Sequence, residues 1–263
     1  MRRPLIVLLA AVLSLSSCGI LTSTSFDAAT LASAAGTAMT ALTISDEQIA
    51  QLSARSVAYM DSVNTVDRGA YDKRLRKLMG RVTSIDGIPI NLKVYKTPEI
   101  NAFACGDGSI RVYSGLMDVM DDSELMAVIG HEIGHVRHKD TKNAMKKTYM
   151  AYAARLALGS TGSVLGSLST SMLGDIAQSY LNAQYSQKQE FAADENGFRF
   201  AIEQGYSPYS MYNSLVKLMQ ISQKSSSSPS TASSGIAQAF SSHPATEERA
   251  ARMKAAAEAY GKL

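Results

Sequence analysis

Apolar residues recur at helical spacing over most of this chain and alternate with polar ones over one short stretch. Ser45-Asp46-Glu47-Gln48 has the pattern of a helix start, Ser45 at the N-cap and Gln48 three residues on as in a capping box. Ile49, Leu52, Val57 and Met60 then mark an apolar face up to Val63. A second helix is predicted from Asp67 to Val82, with Leu75, Leu78 and Met79 inward and Lys73, Arg74, Arg76 and Lys77 on a solvated face. Ile90 to Lys96 alternates with the period of a half-buried strand, and Pro98 ends it. Residues 101–104 and 109–113 read as two more strands around the turn-rich Cys105-Gly106-Asp107-Gly108, which gives a small sheet. Gly115 to Met120 is a short turn or helix, and Asp121-Asp122-Ser123-Glu124 opens a long helix whose acidic first turn complements the helix dipole.

Beyond Met150 the pattern changes. The stretch to Leu181 is apolar and rich in Gly and Ser, with its longest charge-free piece between Arg155 and Asp175. It is the one candidate for an internal membrane span, but Ser160, Thr161, Ser163, Ser167, Ser169, Thr170 and Ser171 make a poor lipid-facing helix. A packed or mobile helical hairpin fits this composition better. Further helices are expected at about 184–204 and 208–222, then a low-complexity loop from Ser225 to Ser234 and a final helix from Thr246 to Tyr260.

The N-terminus adds what periodicity does not. Arg2 and Arg3 precede an apolar run from Leu5 to Leu13, too short to span a bilayer comfortably, and then Ser14, Ser16, Ser17 and Cys18. These are the marks of a secretory signal peptide. Leu15-Ser16-Ser17-Cys18 further resembles the bacterial lipobox, whose cysteine carries the lipid and begins the mature chain. The expected organisation is a signal peptide over 1–17, a lipidated Ser/Thr/Ala-rich tether over 18–44, and one folded domain over 45–263. Gly19, where retention in the inner membrane would favour Asp, points to the periplasmic side of the outer membrane. Once Arg2 and Arg3 are removed, 26 basic residues become 24 against 23 acidic ones, which leaves no charge excess for a nucleic-acid partner. Cys105 is then the one remaining thiol, so no disulfide framework is available.

The chemistry lies in His131-Glu132-Ile133-Gly134-His135, an H-E-x-x-H pattern on the predicted long helix. Histidines four apart share a helix face and can bind one Zn²⁺, with Glu132 beside them as general base. A catalytic zinc usually takes a third protein ligand. A metzincin-type continuation would need glycine at position 138 and histidine at 141, where His138 and Thr141 stand. Glu190, on a downstream helix, can supply the ligand instead, with Asp194 one turn on accepting a hydrogen bond from a ligand histidine. The alternative is an exposed acidic pair on a surface helix. His138 is expected at the surface or as a helix cap.

With Asn101-Ala102-Phe103-Ala104, Ser114-Gly115-Leu116, Val128-Ile129-Gly130, Glu190 with Asp194, and Ser242-His243-Pro244, the chain resembles metallopeptidase family forty-eight over about residues 45–260. That group holds the HtpX, CAAX prenyl and Oma-type endopeptidases and the LoiP-like periplasmic lipoprotein metalloproteases. The resemblance implies an α+β, mainly helical gluzincin fold with a small sheet beside the H-E-x-x-H helix, and one zinc per chain. It implies hydrolysis of peptide bonds in unfolded, misfolded or membrane-associated envelope proteins. It places His243 near the metal, where it steadies the transition state or caps the metal in a resting form. Asn101, Ala102, Phe103 and Ala104 become the sheet edge on which an extended substrate adds as a strand. Cys105-Gly106-Asp107-Gly108 departs from the family's pattern in the loop that follows. The competing reading is a chaperone-like assembly factor of the outer membrane with a rarely used or latent protease site.

Overall fold

The computed structural model describes residues 45–80, 82–157, 169–182, 184–226 and 242–262. The expected signal peptide and tether, including Cys18, lie outside these residues. The chain opens with α1 (Asp46–Val63), whose Ser45 Oγ accepts from the Gln48 amide while the Gln48 side chain accepts from the Ser45 amide, closing the capping box.

Val66–Asp67 forms a short strand, β1, which takes in Asp67, the residue expected to begin the second helix. The helix starts later, as α2 (Ala70–Met79), because Asp67 Oδ2 accepts from the amides of Gly69 and Asp72 and caps the turn from outside. An unanticipated hairpin follows, β2 (Ser84–Ile85) with β3 (Ile88–Pro89). Then come β4 (Asn91–Tyr95), β5 (Ala102–Ala104) and β6 (Ser109–Tyr113). The main sheet has the order β1-β4-β6-β5, with β4 parallel to β6 and β5 antiparallel to it, so β5 is an edge.

Helices α3 (Ser114–Val119) and α4 (Asp122–Arg137) lead to α5 (Asp140–Ala157) and α6 (Thr170–Leu181), the two arms of the expected hairpin; its tip falls outside the described residues. No helix among the described residues is long and apolar enough to cross a membrane. Helix α7 (Gln187–Glu203) carries Glu190, and α8 (Ser210–Ser226) starts after the Ser207–Pro208 turn. The latter continues through Ser226 into the stretch expected as loop, since no Gly or Pro interrupts it there; the rest of that loop lies outside the described residues. Thr246 caps α9 (Glu247–Tyr260).

One core cluster joins the sheet, α2 and α4 through Val94, Ile110, Val112, Leu125, Met126 and Ile129. A second joins α1, α5 and α6 to the opposite sheet face through Tyr95, Phe103 and Tyr113. The expected α+β, mainly helical fold with a small sheet beside the H-E-x-x-H helix is the one observed.

Candidate metal centre

Helix α4 is buried along every residue from Glu124 to Val136, which is why its sequence is apolar on all sides rather than on one stripe. Its start is fixed by reciprocal bonds: Asp121 Oδ1 accepts from the Glu124 amide at 2.8 Å, and Glu124 Oε2 from the Asp121 amide at 2.9 Å. Helix α7 lies against it at very short range. A Cβ on Gly197 would sit 2.6 Å from Ala127 O, and one on Gly130 would sit 2.8 Å from Phe200 Cβ. Asn196 Nδ2 also donates to Gly130 O at 2.6 Å. Two backbones this close put the first turn of α7, with Glu190, over the imidazoles of α4.

The donor atoms meet there. His131 Nε2 and His135 Nε2 are 3.1 Å apart. Glu190 Oε1 is 3.4 Å from His135 Nε2, and Glu190 Oε2 is 3.6 Å from His131 Nε2. His243, arriving on the loop before α9, places Nδ1 3.3 Å from His131 Nε2 and 2.9 Å from Glu190 Oε1. Ligand atoms of all four residues lie within 4.8 Å of one another. Each α4 histidine is turned inward from behind: His131 Nδ1 donates to Asp194 Oδ1 at 2.9 Å and His135 Nδ1 to Asp140 Oδ2 at 3.0 Å, which leaves both Nε2 lone pairs facing the cluster. Glu190 Oε2 is buried, and the one charged group of α9 that reaches it is the Arg249 guanidinium, at 2.7 Å.

A family description, "Peptidase family M48", matches residues 70–257. The chain belongs to peptidase family M48. It is 37% identical over 227 residues to "Metalloprotease LoiP" of Escherichia coli (strain K12), covering 85% of this chain and 86% of that protein. It is 38% identical over 218 residues to "Metalloprotease YcaL" of the same strain, covering 81% and 82%. A "Protease HtpX homolog" of Polynucleobacter necessarius is 29% identical over 180 residues, covering 58% and 62%. This M48 chain is therefore a metal-dependent endopeptidase.

Three residues of the M48 site were not singled out from sequence. Asp140 reaches His135 because Lys139 adopts a left-handed backbone (φ 61°) that breaks α4 from α5, and Gln189 Nε2 donates to its other oxygen at 2.6 Å. Arg249, from α9, donates through Nε and Nη2 to Asp194 at 2.8 and 2.6 Å and through Nη1 to Pro244 O at 2.7 Å. The same Nη1 is 2.7 Å from Glu190 Oε2. Tyr185 stacks on His135, ring centroids 4.1 Å apart and planes 19° off parallel. The signals available were an acid five residues beyond His135 and an arginine six beyond His243, neither of which periodicity separates from an ordinary helical charge. His138 is exposed and forms the C-cap of α4. Cys105 is buried, and that burial raises its thiol far above the ordinary range.

Charge balance is tight. Burial resists ionisation of Asp194, yet the Arg249 guanidinium and His131 hold its carboxyl below the usual range. Burial likewise opposes a charged Glu190, and the contacts from His135 and His243 overcome it and push its pKa down. Burial dominates at His131 and lowers its pKa, favouring the neutral imidazole. At His135 burial is outweighed by Asp140 and Glu190, and without metal the ring is pushed up to about 9.

The edge strand lies beside this cluster. The Tyr113 amide donates to Asn101 O and the Cys105 amide to Ser109 O, so alternate residues 101, 103 and 105 turn their main chain to β6. The amides and carbonyls of Ala102 and Ala104 point to the open side. Tyr180 Oη donates to Ala104 O there at 2.6 Å, and Asn101, Ala102, Phe103, Tyr180 and Tyr185 share a small cleft with Glu132 and His243.

Proposed function

We propose that this chain is a zinc endopeptidase of the bacterial cell envelope, held by a lipid on Cys18 to the periplasmic side of the outer membrane, that cuts unfolded, misfolded or membrane-associated proteins. The observation that carries the zinc site is the spacing of the donors. A tetrahedral ion with ligands at about 2.0–2.1 Å needs neighbouring donors about 3.3 Å apart. His131 and His135 offer Nε2 atoms 3.1 Å apart, His243 Nδ1 lies 3.3 Å from His131 Nε2, Glu190 Oε1 lies 3.4 Å from His135 and 2.9 Å from His243, its Oε2 lies 3.6 Å from His131, and one donor atom from each residue falls within 4.8 Å of the others. The nitrogen-rich set with one carboxylate suits zinc rather than magnesium or calcium. When bound, zinc supplies a Lewis acid that polarises the scissile carbonyl and lowers the pKa of the attacking water towards about 7.

The protein's own groups do the rest. Glu132 is buried beside the cluster and takes the proton of the attacking water; the hydroxyl adds to the carbonyl carbon, the C–N bond breaks, and Glu132 returns the proton to the leaving amine. Asp194 and Asp140 fix the ligand imidazoles, and the Ala102 and Ala104 edge takes the substrate main chain. His243 Nδ1 lies 3.3 Å from His131 Nε2 and 2.9 Å from Glu190 Oε1, so it would take the ligand position that a catalytic site keeps for water, capping the site at rest, and would have to swing away for turnover. That one contact also favours the second reading, an outer-membrane assembly factor whose protease site is held latent. The likeness to the metalloproteases LoiP and YcaL supports the peptidase reading.

The test is zinc content and casein cleavage by the full chain in detergent, beside Glu132→Gln and Cys18→Ala. About one zinc per chain, cleavage lost in the first variant and membrane association lost in the second are the expected results. Zinc without cleavage in either form supports the latent factor, and no zinc refutes the site.

A further inference from the structure

The open side of β5 carries the amides and carbonyls of Ala102 and Ala104, and the two positions are not equally open. Tyr180, on α6, donates its hydroxyl to Ala104 O at 2.6 Å, and Ala104 is 0% exposed while Ala102 keeps 6%. Native sheets protect an edge by covering it, and at Ala104 the cover is this one side chain.

Tyr180 is not on a loose arm. Its buried ring belongs to the core cluster with Phe103, Cys105, Ile176 and Ala177. Helix α6 sits so close to α1 that a Cβ on Gly174 would lie 2.9 Å from the Tyr59 ring. Withdrawing the hydroxyl would leave it and Ala104 O buried without partners, a larger cost than the net worth of the bond. His243, by contrast, is half-buried and arrives on a loop. The cleft that Ala102, Tyr180, Tyr185, Glu132 and His243 share has about 20 Å³ free, room for one water and not for a peptide residue. When His243 swings away the cleft widens at the Glu132 end, and at the Ala104 end Tyr180 remains.

Strand polarity decides which part of a substrate meets it. A peptide added antiparallel to β5, the commoner pairing, runs from the Ala104 end to the Ala102 end. The residue that exchanges main-chain bonds with Ala102 lies beside Glu132, and the residue two before it comes opposite Ala104, where the hydroxyl stands. We infer that Tyr180 is a specificity-determining residue that ends the substrate-binding edge at Ala102, so that a peptide is held by strand pairing next to the bond to be cut and gains nothing from residues further towards its N-terminus. The inference rests on the edge and metal site proposed above and narrows that edge from Ala102 and Ala104 to Ala102. Its consequence is a length rule: a substrate needs only a short extended stretch before the cut.

The test is a ladder of dye-labelled peptides built outward from one casein cleavage site, a residue at a time on either side, with the full chain in detergent. For wild type, additions from the third residue before the cut onward should leave KM unchanged. In Tyr180→Ala, and less strongly in Tyr180→Phe, which keeps the ring but frees Ala104 O, the same additions should lower KM by about 2- to 10-fold for each main-chain hydrogen bond gained, with kcat unchanged. Melting temperatures show whether the variants fold, and Tyr180→Phe carries the comparison if the smaller side chain unfolds the protein. Anisotropy titrations of the same peptides against Glu132→Gln, with and without the Tyr180 substitution, should show the same length dependence in the absence of turnover. A wild-type KM that keeps falling with N-terminal length, or folded variants whose KM does not fall, overturns the assignment and leaves the peptidase intact. A gain confined to C-terminal additions in the variants reverses the polarity and overturns it too. No cleavage of casein by wild type overturns the metal-site reading and this one with it.

Discussion

Arg249 shows how much one side chain can carry at a metal centre. It is 3% exposed and bridges Asp194, which orients His131, Glu190, which faces the metal position, and Pro244 O, which anchors the His243 loop. Removing one member of a buried charge cluster typically costs about 3–5 kcal/mol, because the remaining charges stay desolvated. Arg249→Met is therefore expected to lower stability by about 3 kcal/mol or more and to weaken metal binding, read by thermal unfolding with and without zinc. Arg249→Lys keeps the charge but loses the fork, and should fall between. His243 has the opposite expectation. Because its Nδ1 lies among the donor atoms of the other three residues, His243→Ala should leave His131, His135 and Glu190 to hold the metal and raise the rate of casein cleavage. A fall of about 10²-fold in that rate would instead assign His243 to the transition state.

At the scale of elements, the site is a consequence of how closely α4 and α7 approach. The H-E-x-x-H helix supplies two imidazoles wherever it lies, but Glu190 reaches them only because Gly130 and Gly197 let the two backbones meet. Gly197→Ala would drive a methyl group to 2.6 Å from Ala127 O and 2.8 Å from the sulfur of Met211. Overpacking of this kind costs about 1–3 kcal/mol. The separation it forces would also open the ligand set, so zinc affinity should fall together with melting temperature. A lowered melting temperature with unchanged zinc affinity would show that the helices part elsewhere than at the metal.

For the whole molecule, Asp61 ties α1 to the sheet. Its carboxylate accepts from Arg111 Nε at 2.8 Å, Lys93 Nζ at 2.6 Å and Tyr95 Oη at 2.8 Å. Burial opposes its charge, and these donors outweigh burial and depress its pKa. A carboxyl whose folded pKa lies below its unfolded value of about 3.9 contributes stability above that pH and loses it as pH falls towards the folded value. Asp61→Asn should therefore be less stable at neutral pH, and the gap to wild type should close as pH drops below about 4, measured by urea unfolding at a series of pH values. A gap that stays constant down to pH 2 would remove Asp61 titration as its cause.

What the sequence determined by itself is what short-range physics encodes. Ser45, Asp121 and Thr246 mark helix starts through bonds three residues away, the 91–95 alternation marks a strand, and His131 with His135 share a helix face by spacing alone. Glu190 and Asp194 could be named because a helical register relates them, but whether they faced a metal or solvent depended on a contact across more than fifty residues. Tertiary structure decided the rest. Asp140 became a partner of His135 through one left-handed residue, and Arg249 became the centre of a charge cluster through the docking of α9. Local pattern fixes which side chains can do chemistry; the close approach of distant backbones fixes which of them act together.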